Sequence, residues 1–116
     1  MQHLKRRQDF IAAAKAVAEG RPGFLLQARL RSDTEEARVG FTCTKKLGNA
    51  VIRNRIKRRL REAVRLGLAG VAQPSFDYVV IGRSAAETRD FETLRSDLIS
   101  AAHRLHAKAL SSTEAK

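Results

Sequence analysis

The sequence has little of what disulfide-bonded, zinc-binding and membrane proteins depend on. Its 116 residues include one cysteine, so it can form neither an intrachain disulfide nor a zinc site built on cysteines. No apolar run approaches the length of a bilayer span. The apolar part of the N-terminal segment is short and is interrupted by Lys15, which argues against a signal peptide. These absences exclude a disulfide scaffold and a membrane-spanning chain, and they fit a reducing cytoplasm.

Acidic residues are also scarce relative to basic ones. The chain has 12 Asp and Glu against 23 Lys and Arg, a formal net charge of +11. A basic chain of this size typically meets nucleic acid or an anionic membrane. A hydrophobic content of 43% argues against a disordered basic tail. We therefore expect residues 1–116 to form a single domain with flexible ends at 1–8 and 111–116.

The basic residues concentrate between Lys45 and Arg65, where Glu62 is the single acid. Gly48 and Asn49 are a suitable helix entry, with Asn49 as the cap. Apolar residues then recur with a helical period, which predicts one buried stripe. The stripe consists of Ile52, Ile56, Leu60, Ala63 and Val64. The opposite side of this helix is almost entirely cationic.

A solvated helix face is the ordinary explanation of a charge run, but three features favour a bound polyanion. Cations of one sign on one face repel each other. Lys45, Lys46 and Arg53 lie near the helix N-terminus, where the helix dipole disfavours positive charge. Arginine also outnumbers lysine, which suits bidentate contact with phosphate. The pattern therefore predicts nucleic acid bound at the helix start and along its outer face.

The flanking segments predict strands and two further helices. A helix capped by Asp9 should run to about Glu19 and stop at Gly20. Residues 24–31 and 38–44 alternate in polarity, which predicts two antiparallel strands with a shared polar face. That face would carry Gln27, Arg29, Arg31, Thr42 and Thr44.

The second half of the chain predicts a strand and a closing helix. Residues 76–82 contain a continuous apolar run, which is typical of a central strand. A strand, a helix and a strand in this order imply a parallel pair. A last helix should begin at Thr88 or Asp90 and bury the stripe through Leu94, Leu98 and Leu105.

Residues 39–65, VGFTCTKKLGNAVIRNRIKRRLREAVR, resemble the signature of the bacterial ribonuclease P protein subunit. Its core is Arg53-Asn54-Arg55, preceded by Lys45-Lys46 and by Gly48-Asn49-Ala50-Val51. Asp9-Phe10, Phe24-Leu25-Leu26 and the segment 77–83 extend the resemblance over most of the chain. The resemblance implies an α/β fold, an α+β two-layer sandwich in the order α-β-β-(β)-α-β-α. It also implies a mixed sheet with a left-handed βαβ crossover, of the ribosomal protein S5 domain 2-like type.

The resemblance further implies a function. In that family the RNA subunit is the catalyst, and it uses bound Mg²⁺ to remove the 5′ leader of precursor tRNA. The protein would bind the ribonuclease P RNA through its basic stretch and the precursor tRNA through its leader. The implied RNA-subunit contacts are Lys45, Lys46, Asn49, Arg53, Asn54, Arg55, Lys57, Arg58, Arg59, Arg61 and Arg65. A cytoplasmic location follows, with neither a membrane nor a protein partner required.

A cleft between the first helix and the sheet would hold the leader. The implied cleft residues are Phe10, Gln27, Arg29, Thr42, Thr44 and Arg83. Sequence alone favours a core position for Phe10 and leaves Arg83 evenly divided between ligand contact and plain exposure. The chain has Ala14 and Gln27 where relatives can have aromatics. Leader binding should therefore rely more on Phe10, cations and hydrogen bonds than on further stacking.

The chain shows no evident active site of its own. Its acids are scattered over caps, a turn and helix surfaces, where two-metal chemistry has no obvious place. His103 and His106 are one helical turn apart but lack a third ligand. The alternative function is a ribosomal or other structural RNA-binding protein. A helix-turn-helix DNA-binding protein fits less well, because strands flank the basic helix.

Overall fold

A computed structural model describes residues 1–114, with side chains through Ser111. Five strands form one mixed sheet in the order β1-β4-β5-β3-β2. The strands are β1 (Gln2–His3), β2 (Val17–Arg21), β3 (Phe24–Leu30), β4 (Arg38–Thr42) and β5 (Phe76–Gly82). The helices are α1 (Arg7–Ala14), α2 (Ala50–Ala63), α3 (Ala69–Val71) and α4 (Phe91–Glu114). Short 3₁₀ turns cover Lys45–Leu47 and Ser84–Glu87, and a π-helical turn covers Val64–Leu68.

Strand β5 is the centre of the sheet. It pairs parallel with β4, which precedes it across α2, and antiparallel with β3. Six of its seven residues are buried, as expected for an apolar strand covered on both faces. The predicted central strand and the predicted parallel pair are therefore confirmed. The left hand of the β4–α2–β5 crossover stays a prediction.

The two faces of the sheet differ in what covers them. On one face α2 and α4 pack over alternate residues of β3 and β5, including Phe24, Leu26, Tyr78 and Val80. On the other face α1 forms a smaller cluster, in which Ala13 packs with Leu4 and Val79. This second face is the one left partly open, and it therefore provides room for a ligand.

Helix α2 forms as its sequence predicts. The Asn49 side chain accepts a hydrogen bond from the backbone N–H of Ile52 at 3.0 Å, which caps the helix. The cap follows Gly48, whose φ of 136° is a conformation suited to glycine. Ile56, Leu60 and Ala63 are buried along the predicted stripe. The cap and the stripe turn the basic face of α2 away from the core.

The prediction of one helix from Asp9 to Glu19 is wrong. Helix α1 ends at Ala14, and residues 17–21 form β2, which pairs antiparallel with β3. Asp9 lies inside the first turn of α1, and Arg6 occupies the cap position. The alanine-rich segment has a high helix propensity, but the hairpin with β3 offers a full ladder of backbone hydrogen bonds. Tertiary pairing therefore overrides local propensity here.

Two further expectations differ from the structure. Strands β3 and β4 are not paired with each other, because β5 lies between them. Residues 1–8, expected to be flexible, include β1 paired with β4, the buried Leu4 and the start of α1.

Helix α4 begins at Phe91 with Asp90 as its cap, as predicted, and runs to Glu114. The rest of the predicted flexible tail, residues 115–116, lies outside the described residues.

In the core, a chain of hydrogen bonds runs from Gln73, in the loop before β5, through Tyr78 of β5 to His106 of α4. The backbone N–H of Gln73 donates to the Tyr78 hydroxyl at 3.0 Å, and this hydroxyl lies 2.6 Å from Nε2 of His106. When His106 is neutral with an unprotonated Nε2, the Tyr78 hydroxyl can donate its proton to that nitrogen. Burial raises the pKa of Tyr78 to about 12. Burial also lowers the pKa of His106, and the neighbouring His103 lowers it further.

Across residues 1–114, none of the helices combines the length and apolar character that crossing a membrane requires.

We expect the folded protein to lose stability as the pH falls through 6.5, the ordinary histidine pKa. Below that pH the unfolded chain binds a proton at His106 more readily than the folded chain does, so the free energy of unfolding decreases. His106→Gln should flatten this dependence, whereas His103→Gln, at an exposed position on the same helix, should largely keep it. Chemical denaturation at several pH values measures both. An equal slope in the His106→Gln variant and the original protein would contradict the assignment.

Candidate nucleic-acid interface

The outer face of α2 and the turn before it carry cations without acidic partners. Lys45, Lys46, Arg58 and Arg61 are exposed, and Lys57 is half-buried. Among the described residues none of these five forms an ion pair with a carboxylate. Their positive charge therefore remains available to an external anion.

Other predicted contacts on α2 already have partners within the protein. Arg55 forms an ion pair with Glu87 at 2.7 Å, and Arg65, in the π-helical turn that continues α2, pairs with Glu62 in the preceding turn. Both arginines remain half or more exposed, and surface pairs of this kind contribute little to stability. A phosphate could therefore replace either carboxylate at small cost.

Arg59 has a structural role that the sequence did not indicate. Its guanidinium donates to the carbonyl oxygens of Ala86, Glu87 and Arg89 at 2.6–3.0 Å. These bonds fasten the 3₁₀ turn between β5 and α4 to α2. The side chain is consequently less available to RNA than the adjacent Arg58.

Basic side chains of α2 also lie close to the sheet. The Arg61 guanidinium lies over the Phe41 ring, 5.9 Å from its centroid, within the range of a cation–π contact. Arg53 is half-buried, and its Nε is buried without a hydrogen-bond partner. Burial raises the pKa of the Cys43 thiol, and the nearby charges of Lys57 and Arg61 oppose this rise. Cys43 is thus a small, half-buried residue beside the basic face.

A second feature is a groove on the open face of the sheet, beside α1. Its volume is about 540 Å³. Of the predicted cleft residues, Phe10, Gln27 and Thr42 line it together. The other lining residues are Lys5, Arg7, Ile11, Ala14, Phe41, Val79 and Ile81. The groove therefore combines an apolar floor with cations at one side.

Phe10 stands at the lip of this groove because Gly40 lets it approach the sheet. A side chain on Gly40 would place its Cβ 2.5 Å from the Phe10 ring, which no carbon pair tolerates. The ring packs partly against the α1-side cluster and remains half-exposed. Phe10 therefore both packs against the sheet and lines the groove, and its contact with RNA stays a prediction.

Three predicted cleft residues do not line the groove. Thr44 and Arg83 lie beyond the ends of β4 and β5, and the Arg83 guanidinium donates to the Arg21 carbonyl at 3.0 Å. Arg29 lies at the opposite end of the strands, where its Nη2 is 3.4 Å from Asp77 and 3.7 Å from Asp9. Alternating polarity in a strand predicts which residues share a face of the sheet, but it does not predict how far apart they lie along the strands.

Asp77 is the centre of an ion-pair network that the sequence did not reveal. Its carboxylate has no exposed surface and receives Arg38 through two hydrogen bonds of 2.7 Å and Arg31 at 2.5 Å. Arg38 also lies 3.6 Å from Asp9 of α1. Hydrogen bonding to Asp77 raises the pKa of Arg38, although burial opposes the rise. The basic side chains of this face are therefore mostly engaged at this end of the sheet.

One sequence signal could have found more of the groove. Arg7, Phe10, Ile11 and Ala14 are spaced at i, i+3, i+4 and i+7, so they share one face of a helix. Lys5 and Arg7 were instead assigned to a flexible N-terminus. Phe41 of β4 lies past the part of β4 that pairs with β1, and it also lines the groove. This position depends on the pairing of distant segments, which local sequence patterns do not predict.

Metal ligands do not converge anywhere in the described residues. No group of three or more His, Cys, Asp or Glu side chains among them is placed to hold a metal ion. Asp77 and Asp9 lie close to each other but are occupied by arginines. The Mg²⁺ that the resemblance implies therefore has no fitted site on this part of the chain.

Comparisons with known proteins agree with the resemblance. The sequence model of the family described as Ribonuclease P matches residues 1–106. A ribonuclease P protein component from Ruegeria pomeroyi is 51% identical over 107 residues, covering 90% of this chain and 86% of that protein.

Solved structures show the same fold. The Staphylococcus aureus RNase P protein superposes with a TM-score of 0.71 at 26% identity, covering 89% of this chain and 94% of that one. The RNase P protein from Thermotoga maritima gives a TM-score of 0.70 at 30% identity, covering 86% and 94% of the respective chains. The α/β fold class is confirmed by these neighbours. The chain belongs to the ribonuclease P protein family.

Proposed function

We propose that this protein component of ribonuclease P binds two RNAs on two separate surfaces. The basic face of α2 binds the catalytic RNA subunit, and the groove beside α1 holds the 5′ leader of precursor tRNA. The observation that carries this proposal is the pairing of a cationic face without carboxylate partners with an apolar groove on the opposite side of the sheet. The protein thereby assists removal of the leader in the cytoplasm.

The α2 face suits a folded RNA. Its free cations follow one side of a rigid helix, and Lys45 and Lys46 extend the row beyond the helix start. A phosphate backbone brought there relieves the repulsion among these cations and the unfavourable interaction with the helix dipole. Such contacts release counterions and make binding salt-dependent. They carry no base recognition by themselves.

The groove suits a single strand. Phe10 offers a partly exposed ring for stacking, and a base–aromatic stack is worth about 1–3 kcal/mol. The Gln27 amide is nearly buried in the floor and forms no side-chain hydrogen bond within the described residues. Lys5 and Arg7 are exposed at the margin, where phosphates would pass. Stacking, one amide and two cations together can hold a short, unpaired segment.

The chain contributes binding and orientation to the reaction. The catalytic Mg²⁺ would be held by the RNA subunit, where it would supply activation of water and offset charge on the phosphodiester. Anchoring the leader on one side and the RNA subunit on the other places the scissile bond between them.

Phe10→Ala should weaken binding of a precursor tRNA with a long leader by about 1–3 kcal/mol, because one stacking contact is lost. Binding of a precursor with a very short leader should stay unchanged. Leu110→Ala removes an exposed apolar side chain from α4, away from the groove, and serves as the control. Equilibrium binding to the reconstituted holoenzyme measures each value. An equal loss for both leaders would contradict the groove assignment.

Arg58→Ala combined with Arg61→Ala should weaken binding to the RNA subunit and lower its salt dependence by about one slope unit or less per lost phosphate contact. Arg95→Ala removes an α4 arginine that is paired with Glu92, so its slope should stay near the original. An unchanged salt-dependence slope in the Arg58→Ala, Arg61→Ala double variant would overturn the phosphate assignment.

Arg59→Ala should instead lower the free energy of unfolding by about 2 kcal/mol, since the hydrogen bonds from Arg59 to three backbone carbonyls are lost.

A further inference from the structure

Helix α1 needs an anchor beyond its own sequence. It has eight residues, and an isolated helix of that length is marginal in water. Its apolar contacts with the sheet form a small cluster of Ala13, Leu4 and Val79, with Phe10 and Ile81 packed against it. Its side-chain cap position, Arg6, provides no hydrogen bond. The position of α1 therefore depends on other contacts, and so does the groove that it borders.

The ion pairs below the first turn of α1 supply that anchor. Asp9 points towards the sheet and is 9% exposed. It lies 3.7 Å from Arg29 of β3 and 3.6 Å from Arg38 of β4. Both arginines also pair with the fully buried Asp77 of β5. These four residues, here named the charge clamp, connect α1 to the three central strands.

We propose that the charge clamp sets the position of Phe10 and so acts as a positioning device for the leader, a role that rests on the proposed function of the groove. Asp9 and Phe10 are adjacent in α1. Arg38 and Gly40 are two residues apart on one face of β4. The clamp pair Asp9–Arg38 therefore lies beside the contact between Phe10 and Gly40. Arg29 contributes to leader binding through this pair rather than by touching the leader.

The charge of Asp9 separates the clamp from a general electrostatic effect. Neutralising an acid makes the protein more cationic, and attraction to a polyanion alone then predicts tighter RNA binding. The charge clamp predicts weaker binding of the leader, because a displaced Phe10 ring stacks poorly on a base. The sign of the change in affinity therefore distinguishes the two causes.

The test uses Asp9→Asn in the holoenzyme reconstituted with ribonuclease P RNA. We expect the dissociation constant for a long-leader precursor to rise on the order of fivefold, the lower end of what one stacking contact contributes. The value for a very short leader should not rise. Glu19→Gln is the matched control, since Glu19 is also paired with cations but connects β2 to α4 on the other face. Unchanged or tighter long-leader binding by Asp9→Asn overturns the clamp.

Amide hydrogen exchange tests the charge clamp even if the original protein binds long-leader and short-leader precursors equally well. Amide hydrogen exchange of α1 should accelerate in Asp9→Asn, while β3 and β5 keep their protection, because only the helix is released. Unaltered exchange in α1 contradicts the clamp whatever the leader data show. Gly40→Ala moves the Phe10 ring directly, so it should reproduce the leader defect without accelerating exchange of α1 to the same extent. If the original protein bound long-leader and short-leader precursors equally well, that result would contradict the proposed function of the groove but not the charge clamp.

Discussion

A carboxylate with no exposed surface holds together the polar side of this fold. Asp77 lies on the central strand, and arginines from β3, β4 and the segment after β3 converge on it. A buried charge is tolerated when it is paired and hydrogen-bonded, and removal of one partner typically costs about 3–5 kcal/mol. The strands on both sides of β5 and the helix above it are therefore tied to one point.

This arrangement divides the molecule into a rigid side and an open side. On the rigid side, α2 and α4 bury the apolar face of the sheet, and Arg59 fastens the turn between β5 and α4. The basic face of α2 is thus presented from a fixed support. On the open side, α1 covers part of the sheet, and Gly40 leaves room for Phe10 beside the groove. The two proposed RNA-binding surfaces meet at Phe41, which lines the groove and lies under the Arg61 guanidinium.

Local features of the fold were predictable from the sequence, and non-local ones were not. The cap at Asn49, the stripe of α2 and the apolar run of β5 depend on neighbouring residues, and each was predicted correctly. Strand β2 was missed because the alanine-rich segment that leads into it has a high helix propensity, which pairing with β3 overrides. Arg29 and Arg59 were assigned to RNA as surface cations, and those contacts stay predictions. The partners that both residues have within the protein could not be predicted, because they lie 20 or more residues away in the chain, on other elements.

The central claim is that two different RNAs occupy the two surfaces. The most direct test is cross-linking in the assembled holoenzyme from a photoreactive residue placed either at Ala14, in the groove wall, or at Val51, on α2 and 65% exposed. The account predicts cross-links from position 14 to the precursor tRNA leader and from position 51 to the catalytic RNA. Cross-links from both positions to the same RNA molecule would contradict it.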